Sequence, residues 1–275
     1  MSPRFLAHVY NKNPGAHAPG SPFPFSEPPV TRRLCAPLFV LAATAVVATG
    51  QVAPPNPATK AVPREKGWMT THESFVKRAA KGDVDVLFLG DSITAGWNGN
   101  GKAAWKDTFE PLKAANFGIG GDRTEHVLWR ITEGKELEGI NPKVAVLMIG
   151  TNNSGANSPE QIAEGVTAIV KELRKQRPET KVLLLGVFPR AAKSTKESKS
   201  VPASDLQPKI GQINTIIAKL DDGKAVKYLD IGKQFLEADG SLSREVMPDY
   251  LHLSPKGYGI WAEAIKGPVA DLMKR

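Results

Sequence analysis

Residues Val84 to Thr94 read VDVLFLGDSIT, and this stretch decides the fold. Its first half is a short run of apolar, branched and aromatic residues, closed by Gly90 and followed at once by polar groups. That is the pattern of a buried parallel strand delivering its next residues to the carboxyl edge of an open α/β sheet. Ligands and reacting groups of such sheets lie at that edge. Asp91 and Ser92 therefore stand where chemistry is done, and Ser92 is a candidate nucleophile. A Gly-Asp-Ser after a strand also reads as a capped turn. The ends of later strands bear on the choice.

Outward from this strand, helical and strand patterns alternate to the end of the chain, without an internal repeat. A short amphipathic helix over 72–81 precedes it. After it come a Gly/Asn-rich loop at 97–101, a helix over 103–112, a strand over 115–119 and a helix over 124–132. A third strand is expected over 143–149, and Ser158-Pro159-Glu160 is a capped helix start leading to about Arg177. A fourth strand spans 181–187, and a long polar loop runs from Pro189 to Pro202. A helix over 205–220, a fifth strand over 226–231 and a final helix from Ser254-Pro255 to Met273 complete the chain. This order predicts a three-layer α/β/α sandwich around a mostly parallel five-stranded sheet.

The chain has 275 residues, 41% hydrophobic and 23% charged, enough for one well-buried α/β domain with some excess. The excess is N-terminal. Residues 1–29 are rich in Pro, Gly, Ser and His, show no period and cannot form a core. Thr31-Arg32-Arg33 then precedes LCAPLFVLAATAVVATG, an apolar run of signal-peptide length ending in small residues. A membrane anchor is the competing reading, but the run is short and contains Pro37, which favours export with cleavage after Gly50 or Ala53. A signal placed so far into the chain is explained by a true start near Val30. Residues 1–53 are thus read as leader plus signal peptide, 54–66 as a Pro-rich linker, and 67–275 as the folded domain, with no stable membrane span after processing.

The formal charge is +8, of which +3 falls in residues 1–53. The remaining basic residues are spread among acids, without the basic stripe that nucleic-acid binding needs. The single cysteine, Cys35, lies in the apolar leader, so the folded domain has no disulfide, thiol nucleophile or cysteine metal site.

Acyl transfer through a serine needs a hydroxyl, a base, a group orienting that base, and donors for the developing oxyanion. His8 and His17 lie in the leader, and His72 is on the first helix, away from the sheet edge. His126 sits in an apolar helical run, where a core histidine bonded to a backbone carbonyl is the expected role. His252 remains, in the loop after the fifth strand. Asp249 precedes it by three residues, a spacing that can bring a carboxylate to the imidazole Nδ1 or serve only as a turn or cap. Gly120-Gly121 allows close backbone approach to a bound oxygen, or is a flexible turn. Asn152 offers a side-chain NH₂ donor, or is a turn residue. Four such features, each after a different strand, favour the catalytic reading over chance.

GDSIT at 90–94, NFGIGGDRT at 116–124, GTNN at 150–153 and DYLH at 249–252 resemble the SGNH (GDSL-type) hydrolase superfamily. More narrowly, NFGIGGDRTEHVLWR and DYLHLSPKGY are similar to the catalytic subunits of intracellular platelet-activating-factor acetylhydrolase and their bacterial relatives. The resemblance runs from about Trp68 to the C-terminus. It implies a flavodoxin-like sheet, no metal or other cofactor, and Ser92 as nucleophile with Asp249 and His252 completing the triad. It also implies oxyanion donors from the Ser92 and Gly121 N–H groups and the Asn152 side chain. The leader departs from the intracellular pattern, so that family's regulatory partner is not carried over. The loops after Ser92 and Arg190 look longer here and leave the alcohol half of the substrate open.

The expectation is a serine esterase for small acyl esters, acetyl above all, exported to the periplasm or beyond, with a homodimer possible. A carbohydrate-specific O-acetylesterase is the alternative, since bacterial relatives of this type are often assigned to that chemistry. A catalytically inactive carbohydrate-binding domain on the same fold is a more distant one. Trp97, Trp105 and Trp129 are candidates for a sugar-stacking surface, although tryptophans at helical spacing are commonly core. A nucleotide-binding domain is disfavoured because NFGIGG is not the G-x-G-x-x-G fingerprint.

Overall fold

The computed structural model describes residues 54–192 and 199–274. The leader and signal-peptide expectations lie outside the described residues. In chain order the elements are α1 (Gly67–Ala80), β1 (Val86–Gly90), α2 (Ser92–Ala95), α3 (Lys102–Thr108), β2 (Ala114–Gly118), α4 (Thr124–Ile131) and β3 (Val144–Met148). Then follow α5 (Pro159–Gln176), β4 (Lys181–Leu185), β5 (Ser200–Val201), α6 (Pro208–Ile217), β6 (Val226–Leu229), β7 (Leu242–Ser243) and α7 (Pro255–Met273). Five strands form one parallel sheet in the order β2-β1-β3-β4-β6, and β5 and β7 make a separate antiparallel pair. Counted within the sheet, this is the flavodoxin-like order, which reverses direction between β1 and β3.

The three layers follow from strand alternation. Leu87, Leu89, Ala145, Leu147, Val182 and Leu184 face one core with α1, α4, α5 and α6. Val86, Phe88, Val146, Met148, Leu183 and Leu185 face the other with α3, α7 and the segment after β6. Both faces are covered, which is why these strands are continuous apolar runs and not alternating ones. Each fully buried Leu or Phe contributes about 1.5–3 kcal/mol by leaving water. Trp97 belongs to the second core, fully buried against Phe88, Tyr258 and Trp261, and Trp105 packs beside it. Trp129 packs with Trp68 and His72, and of the three candidates only Trp97 is withdrawn wholly into the core.

Helix ends differ from expectation where prolines intervene. The helix expected over 103–112 stops at Thr108, and Pro111 takes the chain into a 3₁₀ turn at Glu110–Leu112. The helix expected over 205–220 keeps its α-form only over Pro208–Ile217, between 3₁₀ turns. At α5, Ser158 and Gln161 make the reciprocal capping box behind Pro159. The first helix begins five residues before the expected start, because buried Trp68 anchors its opening turn by donating from Nε1 to Asp122 Oδ1 at 2.6 Å.

Residues 54–66, expected as a linker, instead form a strap packed on the domain. Asn56 caps the 3₁₀ turn Pro57–Thr59 and donates from Nδ2 to Gln161 O and Glu164 Oε2 of α5. Ala58 is fully buried, and its carbonyl accepts from Thr124 Oγ1 at 2.8 Å. Gly165 makes this possible: a Cβ there would stand 2.6 Å from Ala58 O. Among the described residues no helix is long and apolar enough to cross a membrane.

Candidate active site

β1 ends at Gly90, in register with Gly118 of β2 and Met148 of β3. The next residue, Asp91, caps α2 by accepting from Ile93 N–H at 2.9 Å, which makes Ser92 the first residue of that helix. α2 lies directly on the strand ends. A Cβ on Gly118 would stand 2.2 Å from Ala95 N, so no side chain fits between β2 and α2. From α7, the buried Tyr258 hydroxyl donates to Ile93 O at 2.6 Å. Ser92 is thus held by β1 behind it, β2 below and α7 beside it.

His252 reaches Ser92 from the loop before α7, with Nε2 2.9 Å from Ser92 Oγ. Asp249 builds the turn that carries it. Its Oδ1 accepts from the Leu251 and His252 N–H groups, and its Oδ2 lies 2.6 Å from His252 Nδ1. Because the carboxylate only accepts, Nδ1 carries the proton and Nε2 is left to accept from the serine. Burial by itself would raise the Asp249 pKa, but the His252 side-chain and backbone hydrogen bonds hold it below the ordinary carboxylate value. The His252 and Asp249 side chains are 43% and 54% exposed, so the trio opens to solvent.

The other two expected residues lie alongside. Gly120 lies beside Ser92, where a Cβ on it would be in ordinary contact at 4.0 Å from Ser92 Cβ, and Gly121 takes the left-handed conformation at φ +76°. Both are exposed. Asn152 sits in the 3₁₀ turn after β3 and donates from Nδ2 to Asp122 O at 2.8 Å, which ties it to the Gly120-Gly121 loop. Its second N–H hydrogen is available to a ligand. Ser92, Gly121, Asn152, Asp249 and His252 are therefore brought to one place, at the edge where the strand order reverses.

Two further charged residues border the trio. Asp91 is wholly buried, its Oδ2 has no partner, and burial pushes its pKa up to about 7, with Asp122 adding to the effect. Arg190, after β4, donates weakly to Thr151 Oγ1 at 3.3 Å and interacts electrostatically with Asp249 and Asp91. Burial lowers its pKa.

Behind the glycine loop, Asp122 Oδ2 accepts from Arg130 Nη1 at 2.9 Å, and Arg130 is paired in turn with Glu136. Glu136 also meets His72 Nδ1 at 2.7 Å, so this histidine belongs to a buried ion network. His126 bonds differently from expectation: its Nδ1 accepts from the Arg123 N–H at the start of α4, not from a carbonyl. Among the described residues no group of three or more His, Cys, Asp or Glu is placed to hold a metal ion.

A parallel α/β/α sandwich that brings Ser92, Asp249 and His252 together at its carboxyl edge has the layout of a hydrolase of the α/β class. The comparison with known proteins narrows this: residues 88–260 match the GDSL-like lipase/acylhydrolase family, and the chain belongs to it. It is 38% identical over 209 residues to the platelet-activating factor acetylhydrolase IB subunit alpha1 of Homo sapiens, covering 74% of this chain and 85% of that one. It is 40% identical over 192 residues to the alpha2 subunit of Gallus gallus, covering 70% and 78%. Among solved structures, a GDSL-like lipase from Bacteroides thetaiotaomicron shares the fold at TM-score 0.53 and 20% identity, over 74% of this chain and 96% of that one.

Proposed function

We propose that the protein is a serine esterase that hydrolyses small acyl esters, acetyl esters above all, through Ser92, His252 and Asp249. The observation that carries this is the chain of contacts from Ser92 Oγ through His252 Nε2 and Nδ1 to Asp249 Oδ2, at 2.9 and 2.6 Å. His252 takes the Ser92 proton as Oγ attacks the ester carbonyl carbon. The oxyanion is met by the Ser92 and Gly121 N–H groups and the Asn152 side chain. His252 then gives its proton to the leaving alcohol oxygen as the C–O bond breaks, which leaves an acyl-serine. Water, deprotonated by the same imidazole, attacks the acyl-serine, releases the acid and restores the hydroxyl.

The acetyl preference rests on the similarity to acetylhydrolase subunits. Export is proposed from Thr31-Arg32-Arg33 and the apolar run after it. Peptides from residues 1–29 in the secreted protein would contradict a start near Val30.

The test is hydrolysis of p-nitrophenyl acetate. Ser92→Ala should lower kcat by on the order of 10⁴ to 10⁶, and Asn152→Ala by about 10² to 10³. A Ser92→Ala protein with near-parental turnover would overturn the assignment. Faster turnover of octanoyl than acetyl esters would overturn the acyl preference alone.

A further inference from the structure

We propose that Arg64, on the N-terminal strap and outside the family's matched residues 88–260, is a positioning residue for the oxyanion site. The proposal rests on the serine-esterase reading above. Its basis is one peptide unit. Arg64 Nη1 donates to Gly120 O at 2.7 Å, and the Gly120 carbonyl and the Gly121 N–H belong to the same planar trans amide. Holding the oxygen on one side therefore aims the N–H to the other. Two successive glycines give this peptide an unusually free choice of orientation, since neither has a Cβ to resist φ > 0. Gly121 is in the left-handed region, and Arg64 is the side chain lying over it: a Cβ on Gly121 would stand 3.2 and 3.3 Å from the two terminal guanidinium nitrogens.

The same guanidinium is itself fixed. Arg64 Nη1 also donates to Asp122 Oδ1 at 3.1 Å, and that carboxylate is held from the other side by Trp68 Nε1 and Arg130 Nη1. Asp122, Arg130 and Glu136 are fully buried, which makes the anchor stiff. Asp122 also accepts from Asn152 through its backbone carbonyl. One residue thus joins the clamp on the Gly121 donor to the Asn152 donor. A cation bonded to an amide oxygen polarises that amide and makes its N–H a stronger donor. Arg64 does not touch the reacting ester in this arrangement; it acts through the Gly120–Gly121 peptide.

The experiment compares the parent, Ser92→Ala, Arg64→Ala and Arg64→Lys on p-nitrophenyl acetate, with thermal unfolding of each. Arg64→Ala should lower kcat by about 10- to 100-fold, less than removal of a donor outright, with KM changed less than about twofold. Guanidinium chloride at tens of millimolar should restore part of the lost kcat. Arg64→Lys should fall between, because an ammonium can reach Gly120 O but cannot lie flat over Gly121 and bridge to Asp122. A merely structural role would lower the unfolding temperature and leave kcat of the folded enzyme unchanged and insensitive to guanidinium. Parental kcat in Arg64→Ala, or a loss that neither guanidinium nor lysine repairs, overturns the proposal while Ser92-dependent hydrolysis stands. A parent without Ser92-dependent hydrolysis overturns both.

Discussion

Asp91 sits beneath the nucleophile with only one of its two oxygens bonded, to Ile93 N–H, in a fully buried place. With a folded-state pKa of about 7 against the ordinary 3.8, the native protein keeps a proton that the unfolded chain has lost between those values. Stability contributed by this group is therefore present below about pH 4 and declines as pH rises toward 7, by on the order of 2–4 kcal/mol in all. Asp91→Asn retains the acceptor for Ile93 N–H and removes the titration. Urea denaturation between pH 5 and 7.5 should show the parent losing stability with rising pH relative to the variant; equal slopes would refute the account. Asp249 works with the opposite sign in a separate window: its lowered pKa contributes stability above the unfolded value, lost as pH falls below about 4. For activity, Asp249→Asn should reduce kcat by about 10⁴ through loss of the correct imidazole tautomer. The Asp249–His252 pairing is legible in the sequence because three residues of turn bring them together. Asp91's missing partner is not, since what surrounds it comes from four separate strand ends.

Among the elements, the three central strands are legible because β1, β3 and β4 are short apolar runs buried on both faces, while the edge strands β2 and β6 are read from their place between helical patterns. The strap was not legible. Its composition of Pro, Asn, Ala and Thr is that of a linker, and what fixes it is a notch over 100 residues away, at Gly165 on α5. Gly165→Ala tests this directly. Alanine in mid-helix gains about 1 kcal/mol of intrinsic propensity. Its methyl, however, would stand 2.5 Å from Thr124 Oγ1 and 2.6 Å from Ala58 O. Overpacking of this kind costs about 1–3 kcal/mol, so the variant should unfold at lower urea than the parent, with the strap displaced. A more stable variant would mean that the strap does not occupy the notch in solution.

Across the whole molecule, both cores are built from residues 61 to 273. If the proposed signal is cleaved after Ala53, the entire strap stays in place. Truncation separates the two roles of the N-terminal region. A chain beginning at Pro54 keeps Asn56, Ala58 and Arg64 and should match the parent in kcat and unfolding temperature. A chain beginning at Gly67 keeps α1 and all five sheet strands but loses the Asn56 and Ala58 contacts on α5 and the Arg64 clamp. Each lost hydrogen bond is worth about 0.5–1.5 kcal/mol, so this form should be measurably less stable yet still folded. Its kcat should fall at least as far as that of Arg64→Ala, even at temperatures where circular dichroism shows the sheet intact. Full activity in the shorter chain would show that the strap is only packing.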